Sequence, residues 1–134
     1  MSVTELQGLL DGLSPGEPPP YLIEETGDWG VRIRLPVTER HSRPGGTVAG
    51  PALMALADAA AWLAILAQIG PVVLAVTTSL HIDFLRKPAL VDVVADGQLL
   101  KLGKQLAVVD VGLRSEGHVD LVAKAQVTYS IPPR

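Results

Sequence analysis

The chain has 134 residues, 48% hydrophobic and 19% charged, a balance that buries a core and excludes an intrinsically disordered segment. A net charge of −3 argues against a general nucleic-acid or anionic-membrane binder, and zero cysteines exclude disulfides, thiolate catalysis and cysteine metal sites. Its length fits a single domain over residues 1–134, with residues 1–20 as an N-terminal helix and proline-rich linker. Aromatic residues are scarce, so the core is expected to be built from Ala, Val, Leu and Ile.

In chain order, residues 2–13 read as a short amphipathic helix. Ser2 and Glu5 have capping-box spacing, and Leu6, Leu9, Leu10 and Leu13 make one stripe. This start carries acids and lacks a basic, then apolar, signal sequence, so a cytoplasmic location is expected. The segment SPGEPPP at 14–20 breaks the helix and runs extended. A first strand follows over Tyr21 to Thr26, with Gly27-Asp28 as a turn. Trp29, Val31, Ile33, Leu35 and Val37 then alternate with Gly30, Arg32, Arg34 and Pro36 as a half-buried strand. Residues 38–50 are polar and glycine-rich and read as a loop.

Between Val48 and Val76 the only charged residue is Asp58. That run is long enough to span a bilayer, but Gly50-Pro51 and Gly70-Pro71 bracket a helix from Pro51 to about Ile69. A carboxylate at mid-membrane is costly, and the flanking strands need a partner for their apolar faces. The expectation is a helix buried by a sheet, with no membrane association. The remainder reads as strands. Val76, Thr78, Leu80, Ile82 and Phe84 share one face, and a second strand covers about 91–101. A turn at Leu102-Gly103-Lys104 leads into a third, about 105–114. After Ser115-Glu116-Gly117, Leu121, Ala123, Ala125, Val127, Tyr129 and Ile131 line one face of the last. Strands before and after one apolar helix, joined by hairpins, define an α+β domain: an antiparallel sheet wrapped around a central helix. Such a sheet often closes its free edges by dimerisation.

Asp58 is the sharpest chemical feature. A lone acid among apolar neighbours is paired, protonated, functional or turned to solvent at an interface, and the residues alone leave these readings open. Gly50 before Pro51 is expected at the N-cap, with its backbone amide near the positive end of the helix dipole. Helix starts of this kind are common and do not by themselves make a binding site. Thr78, on the face of Leu80 and Ile82, is a hydroxyl donor expected to point inward, although strand propensity accounts for it equally. Arg86, Lys87, Lys101 and Lys104 sit at strand ends and form a candidate phosphate-binding set, or ordinary solvated hairpin charge. Gly45 and Gly46 give the loop a tight path. His41, His81 and His118 lack metal-ligand spacing, so no metal is expected.

RPGGTVAGPALMALAD at 43–58 and HIDFLRKPA at 81–89 together resemble the PaaI-like acyl-CoA thioesterases of the hot-dog superfamily, over roughly residues 29–131. The family pattern is about N-x-x-G-x-x-H-G-G, then L-A-D six residues on, then a strand ending in D-F-L-R-P-A. This chain departs from it at Arg43, in place of Asn, and at Ala49-Gly50-Pro51, in place of His-Gly-Gly.

The resemblance implies a hot-dog fold and hydrolysis of an acyl-CoA or related thioester to acid and thiol. It implies Asp58 as nucleophile or general base and the Gly50 amide as oxyanion donor. Thr78 would hold water or orient Asp58, and Gly46, Arg86, Lys87 and Lys104 would contact substrate. Coenzyme A enters only as part of the substrate, and no other cofactor is implied. Gly50 and Asp58 lie eight residues apart, about 12 Å along a helix. One protomer therefore cannot easily apply both to one carbonyl, and the family's answer is a homodimer with shared sites, with a tetramer as the larger option. Two other functions fit the same fold. One is a non-catalytic acyl-CoA sensor. The other is an enoyl-thioester hydratase, disfavoured because the helix carries no histidine.

Overall fold

The computed structural model describes residues 1–133. Helix α1 spans Val3–Gly12, and the expected capping box is present: Glu5 N–H donates to Ser2 Oγ and Ser2 N–H to Glu5 Oε1. Leu6 and Leu10 are buried and Leu9 half-buried, but Leu13 is exposed because the helix has ended before it. Strands β1 (Leu22–Gly27) and β2 (Gly30–Leu35) form a hairpin whose tip is Asp28-Trp29. Trp29 thus belongs to the turn, at φ 62, rather than to the strand's inward row. Gln68 Oε1 accepts from its amide and Leu99 N–H donates to its carbonyl, which hold this left-handed residue in place.

The polar segment 38–50 is more ordered than a plain loop. A 3-10 turn at Glu39–His41 leads into a two-residue hairpin, β3 (Ser42–Arg43) and β4 (Thr47–Val48). Gly45 and Gly46 make its turn with φ 102 and 74, values that favour glycine. The central helix α2 runs Gly50–Ile69. Its N-cap is Ala49, so Gly50 is the first helical residue and not the cap.

The remaining strands are β5 (Val76–Phe84), β6 (Val93–Leu102), β7 (Leu106–Ser115) and β8 (Leu121–Ser130). With β1 and β2 they form one antiparallel sheet of six strands in the order β1-β2-β6-β7-β8-β5. Alternation works as expected in β7, where Ala107, Val109, Val111 and Leu113 are buried, and in β8, where Ala123, Ala125, Val127 and Tyr129 are. These rows curve around α2, whose Leu53, Leu56, Ala57, Ala60, Leu63 and Leu66 meet them. Gly97 lets β6 come close: a Cβ there would stand 3.2 Å from the Ala60 carbonyl oxygen. Helix α2 is long and apolar enough to cross a membrane, yet half of its most apolar stretch is buried within the domain.

The two sheet faces differ. On the outer face Arg32 and Arg114 both pair with Asp96, Arg34 bridges Glu24 and Glu116, and Lys124 meets Asp110. The free edge at β5 is apolar and open, with Val76 58% and Phe84 51% exposed and Leu74 beside them at 76%.

Candidate active site

Asp58 lies at the margin of α2's uncovered face, where the edge of the sheet meets it, half-buried near Ala55, Ala59 and Trp62. Thr77 and Tyr129, a register pair on β5 and β8, face it. Thr77 Oγ1 and Tyr129 Oη each donate to Asp58 Oδ1, at 2.7 Å in both cases. Asp58 Oδ2 has no hydrogen-bond partner among the described residues, and Asp58 lines an open hollow of about 420 Å³. The acid is therefore neither orphaned nor buried: one oxygen is anchored and the other is free to accept. Burial, and after it the hydrogen bond and charge of Asp58, hold the Tyr129 phenol well above its ordinary value, so it stays a donor.

Thr78 is not at this site. A bulge between Thr77 and Ser79 inserts one residue, which inverts the alternation on its N-terminal side. Thr77 turns inward in place of Thr78, whose hydroxyl donates to the Thr128 carbonyl at 3.2 Å. Leu80 and Ile82, beyond the bulge, keep their expected side. Alternation puts Tyr129 on the inward face of β8, and its hydroxyl is a site group that the alternation alone does not reveal. The signal was available, since a tyrosine in an otherwise apolar inward row needs a polar partner.

Gly50 lines a separate hollow of about 350 Å³ with Arg43, Thr47, Phe84, Arg86 and Lys87. The Phe84 ring lies 3.6 Å from where a Cβ on Gly50 would stand. The Gly50 N–H has no acceptor among the described residues, as befits the first turn of a helix. Arg86 is tied to β8 through the Leu121 carbonyl at 2.6 Å, and its neighbour Lys87 is exposed. Gly46 does not line this hollow and serves the β3–β4 turn.

Lys104 is at the other end of the sheet. It neighbours Leu106 and Ser130, which pair at the Val76 end of β8, whereas Arg86 follows Phe84, paired with Ala123. Seven residues of β8 separate those ends, about 24 Å of strand, so the four cations are not one cluster within a protomer. Trp62 borders the Asp58 hollow, whereas Leu63 and Leu66 are fully buried in the core.

A six-stranded antiparallel sheet around one long helix, with a short helix before it, is the hot-dog architecture of thioesterases. The chain belongs to the thioesterase superfamily, whose family model matches residues 45–122. A Thermoplasma acidophilum protein described as a candidate esterase is 31% identical over 101 residues, 75% of each chain. A crystal structure from Silicibacter sp. TM1040, described as a candidate thioesterase, is 43% identical with a TM-score of 0.88, covering 99% of this chain and 93% of that one. A Streptococcus pneumoniae protein solved with coenzyme A shares the fold at 22% identity and a TM-score of 0.74, over 85% of this chain and 90% of its own.

Proposed function

We propose that the protein hydrolyses acyl-CoA thioesters at sites shared between two copies of the chain. The observation that carries this reading is Asp58, which lines an open hollow with Oδ1 held by two hydroxyls and Oδ2 free. In the forward step Oδ2 takes a proton from a water as that water's oxygen adds to the thioester carbonyl. The carbonyl oxygen becomes an oxyanion beside the Gly50 amide at the positive end of α2. Its collapse breaks the C–S bond, and the departing sulfur takes the proton from Asp58. Acid and thiol are released, and Asp58 is restored. Direct attack by Oδ2 on the carbonyl is the competing route. A single turnover in ¹⁸O-labelled water distinguishes them: the general base puts label in the acid, whereas direct attack forms a mixed anhydride and puts label in Asp58 when water opens it at the Asp58 carbonyl.

The edge strand supplies a reason for the sites to be shared. Nine residues, Val76 to Phe84, present an open edge centred on Leu80. Antiparallel pairing of two copies about Leu80 sets Val76 of one opposite Phe84 of the other. Thr77, bonded to Asp58, then lies beside the second copy's Gly50 hollow, which Phe84 lines. The same pairing covers the exposed apolar edge while the ion-paired outer face stays in water. Arg86 and Lys87 meet the coenzyme phosphates, and Arg43 adds a third cation to that hollow. Binding of coenzyme A by a fold relative agrees with this class of substrate.

Turnover of acyl-CoAs by the wild type and Asp58→Asn is the direct test. The expected result is a loss of about 10²- to 10⁴-fold in kcat for the variant, the usual contribution of a positioned base. Unchanged hydrolysis would remove Asp58 from the mechanism, and binding without turnover in the wild type would favour the sensor.

A further inference from the structure

A third hollow, of about 520 Å³, adjoins the Asp58 hollow and has no role in the steps above. Its size is that of a small-ligand pocket. The linker residues Pro18 to Tyr21 wall one side, Leu35-Pro36 another, and Ala52 and Ala55 of α2 form its floor. Ala55 also lines the hollow of Asp58, so the two hollows meet at that small side chain. Arg40 and His41 border it, and His41 Nδ1 accepts from Thr38 N–H at 2.9 Å, which leaves Nε2 as the ring's outward donor.

The wall is fixed in position. Gln7 of α1 donates from Nε2 to the Tyr21 carbonyl at 3.2 Å and accepts from Ile23 N–H at 2.7 Å. This clamp sets where the linker enters β1, and Leu6 and Leu10 bury the helix that carries it. The Tyr21 phenol is raised by burial and next by the charge of Asp58, so the wall and the carboxylate sense one another. Helix, linker and β2 all precede the family-matched span, so the walls of the hollow lie outside that span while its floor, Ala52 and Ala55, lies within it.

We infer that this hollow is the acyl-end pocket: an apolar acyl chain with its carbonyl at Asp58 runs over Ala55 and ends between Tyr21, Pro36 and Ala52. The inference rests on the thioesterase reading and assigns that site a substrate class, medium-length linear acyl groups. From Asp58 to Ala52 is six residues, about 9 Å of helix, which sets the depth. Each methylene buried along that path should raise kcat/KM about fourfold until the pocket is full.

The test measures kcat/KM for acetyl-, butyryl-, hexanoyl- and octanoyl-CoA with wild type, Ala52→Met and Tyr21→Ala, and the melting-temperature shift that each acyl-CoA gives. Wild type should favour hexanoyl and octanoyl chains. Ala52→Met, which fills the floor with a good helix former, should lower the octanoyl-to-acetyl ratio at least tenfold. Tyr21→Ala should move the optimum to longer chains. An unchanged chain-length profile in both variants overturns the pocket. If the wild type turns over none of the four, the hydrolase reading fails. The chain-length dependence of the melting shift, and its loss in Ala52→Met, then decides the pocket independently.

Discussion

The two ends of β5 are built for opposite charges. At the Val76 end stand a carboxylate and two hydroxyls, Asp58, Thr77 and Tyr129, against the uncovered side of the helix. At the Phe84 end stand a free amide and three cations, Gly50, Arg43, Arg86 and Lys87, at the start of that helix. The first can take a proton and the second can hold an anion; neither does both. On the proposed reading the contrast means that one chain carries two half-sites, which a two-fold axis through the edge strand would turn into whole ones.

The strongest challenge to this contrast is to disable each end separately. Asp58→Asn and Gly50→Pro should each lose at least 10²-fold in kcat, the second because proline deletes the N–H that meets the oxyanion. Ala49, the residue before it, already has ψ 145, and Gly50 is the first helical residue, so proline is tolerated there. If sites are shared, unfolding and refolding a mixture of the two variants should restore activity. Each mixed dimer then carries one intact site and one doubly defective site. No restoration in dimers shown to be mixed would place both groups within one protomer.

A smaller effect separates recognition from chemistry at the cationic end. Replacing Arg86 and Lys87 by Ala should raise KM for acyl-CoA by roughly fivefold per residue, the upper value for an exposed ion pair. KM for an acyl-pantetheine thioester without phosphates should not move. Equal changes for both substrates would argue against phosphate contacts.

The smallest effect belongs to the hydroxyls of the acidic end. Tyr129 and Tyr21 both titrate above their unfolded value of about 10, so the unfolded chain loses those protons first as pH rises. Their contribution to stability is present below pH 10 and lost as pH climbs through the raised values. Melting temperature should therefore fall as pH rises above about 10, and Tyr129→Phe should flatten that fall. The same variant leaves Thr77 as the only hydroxyl on Oδ1 and should lower kcat by about tenfold, the worth of a hydrogen bond to a charged group.

Local pattern carried far in this chain. Ser2 and Glu5 announced the cap of α1, Gly50-Pro51 the start of α2 within one residue, and the alternations of β7 and β8 their buried faces. These follow from side-chain periodicity and backbone preference, which act over a few residues. The position of Asp58 as a lone acid on an apolar helix was legible in the same way. Its neighbours were not. The bulge beside Thr78 exchanges that residue for Thr77, and a one-residue insertion changes no composition that a pattern could register. Lys104 and Arg86 look alike as strand-end cations, but strand pairing alone decides that they stand at opposite ends of the sheet.

The sequence by itself determined which residues are inside, where the helices begin, and that one carboxylate interrupts the apolar run, because local sterics and hydrophobic periodicity set these. Only the tertiary structure decided which hydroxyls hold that carboxylate, which cations share the glycine's hollow, and that Tyr21 reaches the helix from the far side of a proline-rich linker. Those choices depend on strand register and on chain segments that meet across the sheet, and register is a property of the pairing rather than of either strand.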